Sequence, residues 1–193
     1  MPPRVYLIRH GETEWSRTGQ HTGRTDIPLT QRGEQAARQV GERLRGVVFR
    51  HVFTSPLRRA RQTCELAGYC ERAAVEPDLA EWDYGDYEGL TSAKIAETNP
   101  QWNVFRDGAP GGESPEQVTG RVDRLIAQIR TLDGDAALFG HGHIGRALAA
   151  RWIELPVEHG QRFLLDTAAV CVLGYDHGRA DQPALELWNS TPE

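Results

Sequence analysis

The 193-residue chain is predicted to fold as a three-layer α/β/α sandwich around a mostly parallel central sheet. Short β-branched runs alternate with stretches of helical period, the order expected of strand, crossover helix, strand. Those runs end on charged and glycine-rich tripeptides, as strand edges that meet a ligand do. No Gly/Ser linker or internal repeat divides the chain, so residues 1–193 read as one domain.

Val5–Ile8 and Val47–Thr54 are the first buried strands. Between them Thr30 caps a helix whose apolar positions Ala36, Ala37, Val40 and Leu44 share one face, with Gly46 expected to end it. Leu57–Tyr69, just after Pro56, is the next helix. Cys70–Glu113 is a loop-rich excursion, and long loops in compact domains usually carry function. Ser114, Pro115 and Gln117 then form a capping box with proline at the first helical position. Val118, Val122, Leu125, Ile126 and Ile129 supply that helix's apolar face. Ala136–Phe139 is a strand, Ile144–Ile153 a helix, and Val170–Tyr175 and Ala184–Leu187 are closing strands.

Hydrophobic residues make up 39% and charged residues 25%, as in ordinary soluble domains. No apolar stretch approaches the roughly 18 residues of a membrane span, and no signal-peptide core opens the chain, so a cytoplasmic location is expected. The net charge of −5 argues against a nucleic-acid or anionic-membrane surface. Cys64, Cys70 and Cys171 are too few and too irregular for a disulfide or zinc framework and are expected to pack as small apolar groups. Oligomeric state is left open.

The stretch RVYLIRHGETEW ends a strand on Arg9, His10 and Gly11. The second strand leads through Ser55 to Arg58, Arg59 and Arg61, whose helical spacing sends them in different directions; the third leads into Gly140-His141-Gly142-His143. Histidines and arginines thus converge on one sheet edge. A neutral imidazole is a competent nucleophile near pH 7, and arginine matches phosphate oxygens with a planar fork. Phosphoryl transfer through a phosphohistidine fits these parts and requires no metal or other cofactor. His141 and His143 could face one metal, but the glycines beside them indicate a tight loop and no further ligands accompany them. A leaving alkoxide needs a proton. LAEWDYGDYEGL offers Glu81, Asp83, Asp86 and Glu88; Glu81, beside Trp82 and Tyr84, is the leading candidate acid, with partial burial expected to raise its pKa. Trp15, Trp82 and Trp102 are expected to wall or underlie the site, and His51 and His159 to lie on the surface.

IRHGETEW, SPLRRARQT, LAEWDYGDYEG and GHGH, in this order, resemble the histidine phosphatase (phosphoglycerate-mutase-like) superfamily over about Val5 to Leu187. The resemblance implies His10 as the phosphorylated nucleophile and Arg9 and Arg59 as phosphate clamps. It also implies Glu81 as proton donor and His141 as a charged donor to a phosphoryl oxygen. HTGRTDIPLT, WNVFRDG, HGHIGR and YDHGRADQPALEL are similar to the fungal sedoheptulose-1,7-bisphosphatase branch, which implies His21, Thr22, Tyr84, Arg146 and His177 as substrate-binding residues. The chain departs from that branch at His21, where tyrosine is usual. Ser16 stands where the mutases carry asparagine, and their arginine-bearing insertion is absent. The expected substrate is a small phosphorylated metabolite, a sugar bisphosphate first. A broad-specificity acid phosphatase, a phosphoglycerate mutase and a non-catalytic phosphate-binding module are the alternatives.

Overall fold

The computed structural model describes residues 2–191. Its strands are β1 (Val5–Arg9), β2 (His51–Thr54), β3 (Ala73–Val75), β4 (Ala136–Gly140), β5 (Val170–Tyr175) and β6 (Pro183–Ser190). They form one six-stranded sheet in the order β3-β2-β4-β1-β5-β6. β3, β2, β4 and β1 run parallel to one another, whereas β5 is antiparallel to both β1 and β6. The sheet is therefore mixed, with a parallel half that carries the sequence motifs.

Helices α1 (Glu14–Thr18), α2 (Gln31–Leu44), α3 (Arg58–Leu66), α4 (Ser92–Ala96), α5 (Val104–Asp107), α6 (Pro115–Arg130) and α7 (Gly142–Trp152) complete the chain. Side chains alternate across a strand, so β1 feeds both layers. Val5 and Leu7 pack with α6 and α7, and Ile8 packs with α2 and α3. Leu7 and Ile8 are wholly buried, each worth about 1.5–3 kcal/mol in transfer terms.

Several elements depart from expectation for identifiable reasons. The second strand begins only at His51, where pairing with Ala136 starts; Val47 turns back on Leu44, and Val48 lies exposed. Gly46 is not the expected left-handed cap, because α2 closes through Arg45 in a right-handed conformation. The helix after Pro56 stops at Leu66, ahead of Gly68, whose φ is 85°. The Cys70–Glu113 excursion contributes β3 to the sheet edge, as well as α4 and α5. Both capping predictions hold: the Thr30 hydroxyl accepts from Gly33 N, and Ser114 and Gln117 cap each other reciprocally. Cys64 and Cys171 are buried, with their thiols pushed up to about 12 and about 11 by burial. Cys70 is exposed, contrary to expectation. No helix among the described residues is long and apolar enough to cross a membrane.

Candidate active site

In register, Ile8 faces Phe139 and Phe139 faces Thr54, so β1, β4 and β2 end side by side. The residues that follow, His10, His141 and Ser55, are therefore neighbours by sheet geometry. The chain turns sharply after His10 because Gly11 lies against α2. A Cβ on Gly11 would overlap the carbonyl of Gly33, and a Cβ on Gly33 would overlap that of Glu12. The glycine of the RHG motif is thus a packing requirement that holds the histidine at the sheet edge.

His10 is 5% exposed, and its Nδ1 donates to the Gly11 carbonyl at 2.7 Å. That bond fixes the tautomer and leaves Nε2 as the bare lone pair. Burial first, then the charges of Arg59 and Arg9, lowers its pKa well below the ordinary imidazole value. Arg9 lines the same cavity; one of its terminal nitrogens donates to the Leu165 carbonyl, and its buried Nε has no partner. A buried guanidinium N–H without an acceptor is costly.

Arg59 and His141 are brought to this place, each bonded to protein groups. Arg59 is wholly buried and spends its fork on protein: Nη1 on Thr25, Nη2 on Thr22 and Gly23, and Nε on His141 Nδ1 at 3.1 Å. Because Arg59 Nε always carries hydrogen, His141 must accept there, and its ring proton sits on Nε2, 2.7 Å from Ser55 Oγ. In this arrangement His141 is a neutral, doubly anchored imidazole. Burial, reinforced by Arg59, lowers its pKa well below the ordinary value.

Glu81 is buried, 8% exposed, and its carboxylate is met by backbone amides. Its Oε1 accepts from the amides of Trp82 (2.9 Å) and Ile144 (2.8 Å), and its Oε2 from that of His143 (3.0 Å). Since the His141 side chain does not cap α7, this carboxyl from a distant loop satisfies the helix's first free amides.

The cavity, of about 240 Å³, is lined by Arg9, His10, Glu81, His21, Thr22, Tyr84 and Arg146 among others. Ser16, Gln20, Ser92 and His143 also line it and were not foreseen as binding residues. The signal for His143 was the second histidine of GHGH. Arg146 lies over the Phe105 ring and gives Nε and Nη2 to the carbonyls of Gly160 and Gln161, which leaves further N–H groups uncommitted. Of the tryptophans, Trp82 is fully buried against Phe105 and Trp102 packs edge-on to His21. His51 is tied to Asp133 near the far end of the sheet.

His177 is not part of the site. It occupies the turn after β5, and β5 runs antiparallel to β1, so the turn lies beyond Val5, at the opposite sheet edge. Its side chain is 87% exposed beside Asp176.

The model of the histidine phosphatase superfamily (branch 1) matches residues 5–191. The chain belongs to that superfamily. An acid phosphatase of Mycobacterium tuberculosis is 42% identical, with 91% of this chain and 88% of the relative covered. The sedoheptulose 1,7-bisphosphatase of Saccharomyces cerevisiae is 34% identical over 97% of this chain and 93% of its own. Among solved structures, that of the Mycobacterium tuberculosis open reading frame Rv3214 superposes with a TM-score of 0.92 at 40% identity, covering 98% of each chain. The alpha-ribazole phosphatase from Shigella flexneri superposes at 0.82 with 28% identity, covering 97% of this chain and 96% of that one. This histidine phosphatase is an enzyme, a phosphatase with the fold of its superfamily.

Proposed function

We propose that this histidine phosphatase hydrolyses a small phosphorylated metabolite through a phosphohistidine on His10, without a metal ion. The observation that carries the reading is the tautomer of His10. Its Nδ1–H is spent on Gly11, so an unprotonated Nε2 faces the cavity shared with Arg9 and Glu81. Among the described residues no group of three or more histidine, cysteine or carboxylate side chains could hold a metal.

In the first half-reaction Nε2 of His10 attacks phosphorus in line. The bond to the leaving alkoxide breaks, and that oxygen takes a proton from Glu81. Oε2 is the oxygen suited to carry this proton, because it accepts one amide bond where Oε1 accepts two. In the second half-reaction a water attacks phosphorus, Glu81 recovers a proton from it, and the N–P bond breaks. Ester and water become alcohol and phosphate, and both side chains return to their starting states. Charge spread over the equatorial oxygens is met by the guanidinium of Arg9, which lines the cavity, with Arg59 supporting the site from behind.

A sugar bisphosphate such as sedoheptulose 1,7-bisphosphate is the substrate we favour. The uncommitted N–H groups of Arg146 supply a second cationic station on the same cavity, and the yeast relative supports this choice. Relatives named as probable phosphoglycerate mutases, 32% identical over 91% of this chain, support a mutase as the second reading.

Turnover of p-nitrophenyl phosphate should persist in chelator and vanish in His10→Ala, and acid-labile, base-stable label should appear on His10 after quenching. Absence of that label overturns the mechanism. A panel of sedoheptulose 1,7-bisphosphate, fructose bisphosphates and phosphoglycerates, scored for phosphate release against isomer formation, separates bisphosphatase from mutase.

A further inference from the structure

We propose that His143 is a specificity-determining residue that recognises a hydroxyl group on the alcohol part of the substrate, a role that rests on the phosphatase reading above. The second histidine of GHGH takes no part in the proposed phosphoryl transfer, yet its placement is closely determined. Its backbone amide donates to Glu81 Oε2, and its ring Nδ1 is hydrogen-bonded to the Tyr84 hydroxyl. The imidazole meets Phe105 edge-on at 5.2 Å and lies parallel to the His21 ring, with 6.0 Å between centroids. All these partners are provided by other loops and helices, so the ring has one orientation.

Phenol is the acid and imidazole the base of the Tyr84–His143 pair. Tyr84 is 2% exposed, and burial holds its phenol protonated well above its ordinary range. Its O–H donates to Nδ1, which places the ring proton of His143 on Nε2 as a donor. His21 is arranged in the complementary sense. Its Nδ1 donates to the Leu90 carbonyl at 2.8 Å, leaving Nε2 as an acceptor. Both rings line the cavity beside Glu81. A donor and an acceptor on parallel rings match a hydroxyl, which both gives and takes a hydrogen bond. The tie to Glu81 puts that hydroxyl on a carbon close to the ester oxygen that Glu81 protonates. The substrate class is therefore a phosphate ester of a polyhydroxylated chain, as opposed to a simple alkyl or aryl phosphate.

Glycerol 1-phosphate and propyl phosphate share a three-carbon chain and differ only in hydroxyls, so they isolate this contact. In the unmodified enzyme kcat/KM for the glycerol ester should exceed that for the propyl ester by at least about tenfold. His143→Leu should bring this ratio close to one, whereas His143→Gln, which keeps an N–H donor, should retain part of it. Tyr84→Phe releases the tautomer and should lower the ratio without removing the ring. A ratio near one in the unmodified enzyme, or a ratio unchanged in His143→Leu, overturns the proposal. If the leucine variant fails to fold by circular dichroism, the unmodified enzyme and Tyr84→Phe still decide it. Loss of p-nitrophenyl phosphate turnover in the unmodified enzyme would strike the phosphatase reading instead.

Discussion

The Nε–H of Arg59 donates to Nδ1 of His141 at 3.1 Å, and that one bond decides the protonation of the imidazole. A protonated His141 would set a ring N–H against a guanidinium N–H in a buried place. The pair therefore works as a cation supported by a neutral ring, itself held by Ser55. Lysine cannot replace this arginine, since one ammonium cannot serve His141 and the carbonyls of Thr22, Gly23 and Thr25 together. Arg59→Lys should lose about 2–4 kcal/mol in urea unfolding, because buried acceptors are left unpaired. Its kcat/KM should fall on the order of 100-fold as the site loosens. Unchanged stability would show that these bonds are not made in solution.

The buried histidines set a pH dependence of stability. His10, His141 and His143 all have pKa values pushed well below the ordinary one, chiefly by burial. In the unfolded chain each titrates near about 6.5. Above that pH neither state binds these protons and their contribution is complete. As pH falls below about 6.5 the unfolded state takes up protons that the folded state refuses, so stability declines. Each proton of difference steepens the slope by about 1.4 kcal/mol per pH unit. Thermal unfolding between pH 7.5 and 5 should show this decline, with a shallower slope in His143→Gln. For the same reason, neutral His10 should sustain kcat from pH 7 to about 6. A kcat that halves near pH 6.5 would contradict its burial.

Local features of this chain are written in its sequence more plainly than its long-range contacts. Local signals are legible: the caps at Thr30 and Ser114 and the apolar runs of β1, β4 and β5 are set within a few residues of chain. The convergence of His10, Arg59 and His141 was legible too, because parallel strands deliver their loops to one edge, whereas Glu81 was signalled only by the need for an acid and by family resemblance. What was hidden is who bonds to whom. Nothing local in the sequence says that Glu81 caps α7, or that Arg59 spends its fork on the segment 22–25. His177 was misplaced because motif resemblance carries no information about which sheet edge a turn reaches. The direction of β5 decides that.

Glycines offer a paired test of packing against conformation. Gly11 and Gly33 lie so close to backbone that a methyl on either must push the chain apart. Gly11→Ala and Gly33→Ala should each cost about 1–3 kcal/mol, as overpacked sites do, and both should depress kcat by displacing His10. Gly46 has open space around its would-be Cβ and no positive φ. Gly46→Ala should therefore stabilise by about 0.4–1 kcal/mol through the unfolded state, with kinetics unaltered. Equal effects of Gly11→Ala and Gly46→Ala would refute the packing account of the RHG glycine.

Arg121, on α6, anchors the loop that carries Glu81 and gave no sign of this in the sequence. It is 8% exposed, donates to the carbonyls of Asp78, Ala80 and Glu81, and forms a two-pronged pair with Glu113. Burial pushes the Glu113 carboxyl up, but the Arg121 hydrogen bonds and charge hold it below its ordinary value. Glu113 in turn accepts from Asp83 N, so the segment on both sides of Trp82 is tied to α6. Arg121→Met removes the cation yet fills similar space, leaving Glu113 half-buried without its partner. It should cost about 3–5 kcal/mol in urea unfolding. At temperatures where the variant remains folded, kcat should fall more than KM changes, because in the proposed mechanism Glu81 acts on the leaving group and Arg121 only positions it. For the same reason, substrates with good leaving groups, such as p-nitrophenyl phosphate, should be less affected than alkyl phosphates. An equal loss on both would mean that Arg121 supports the fold and not the orientation of Glu81.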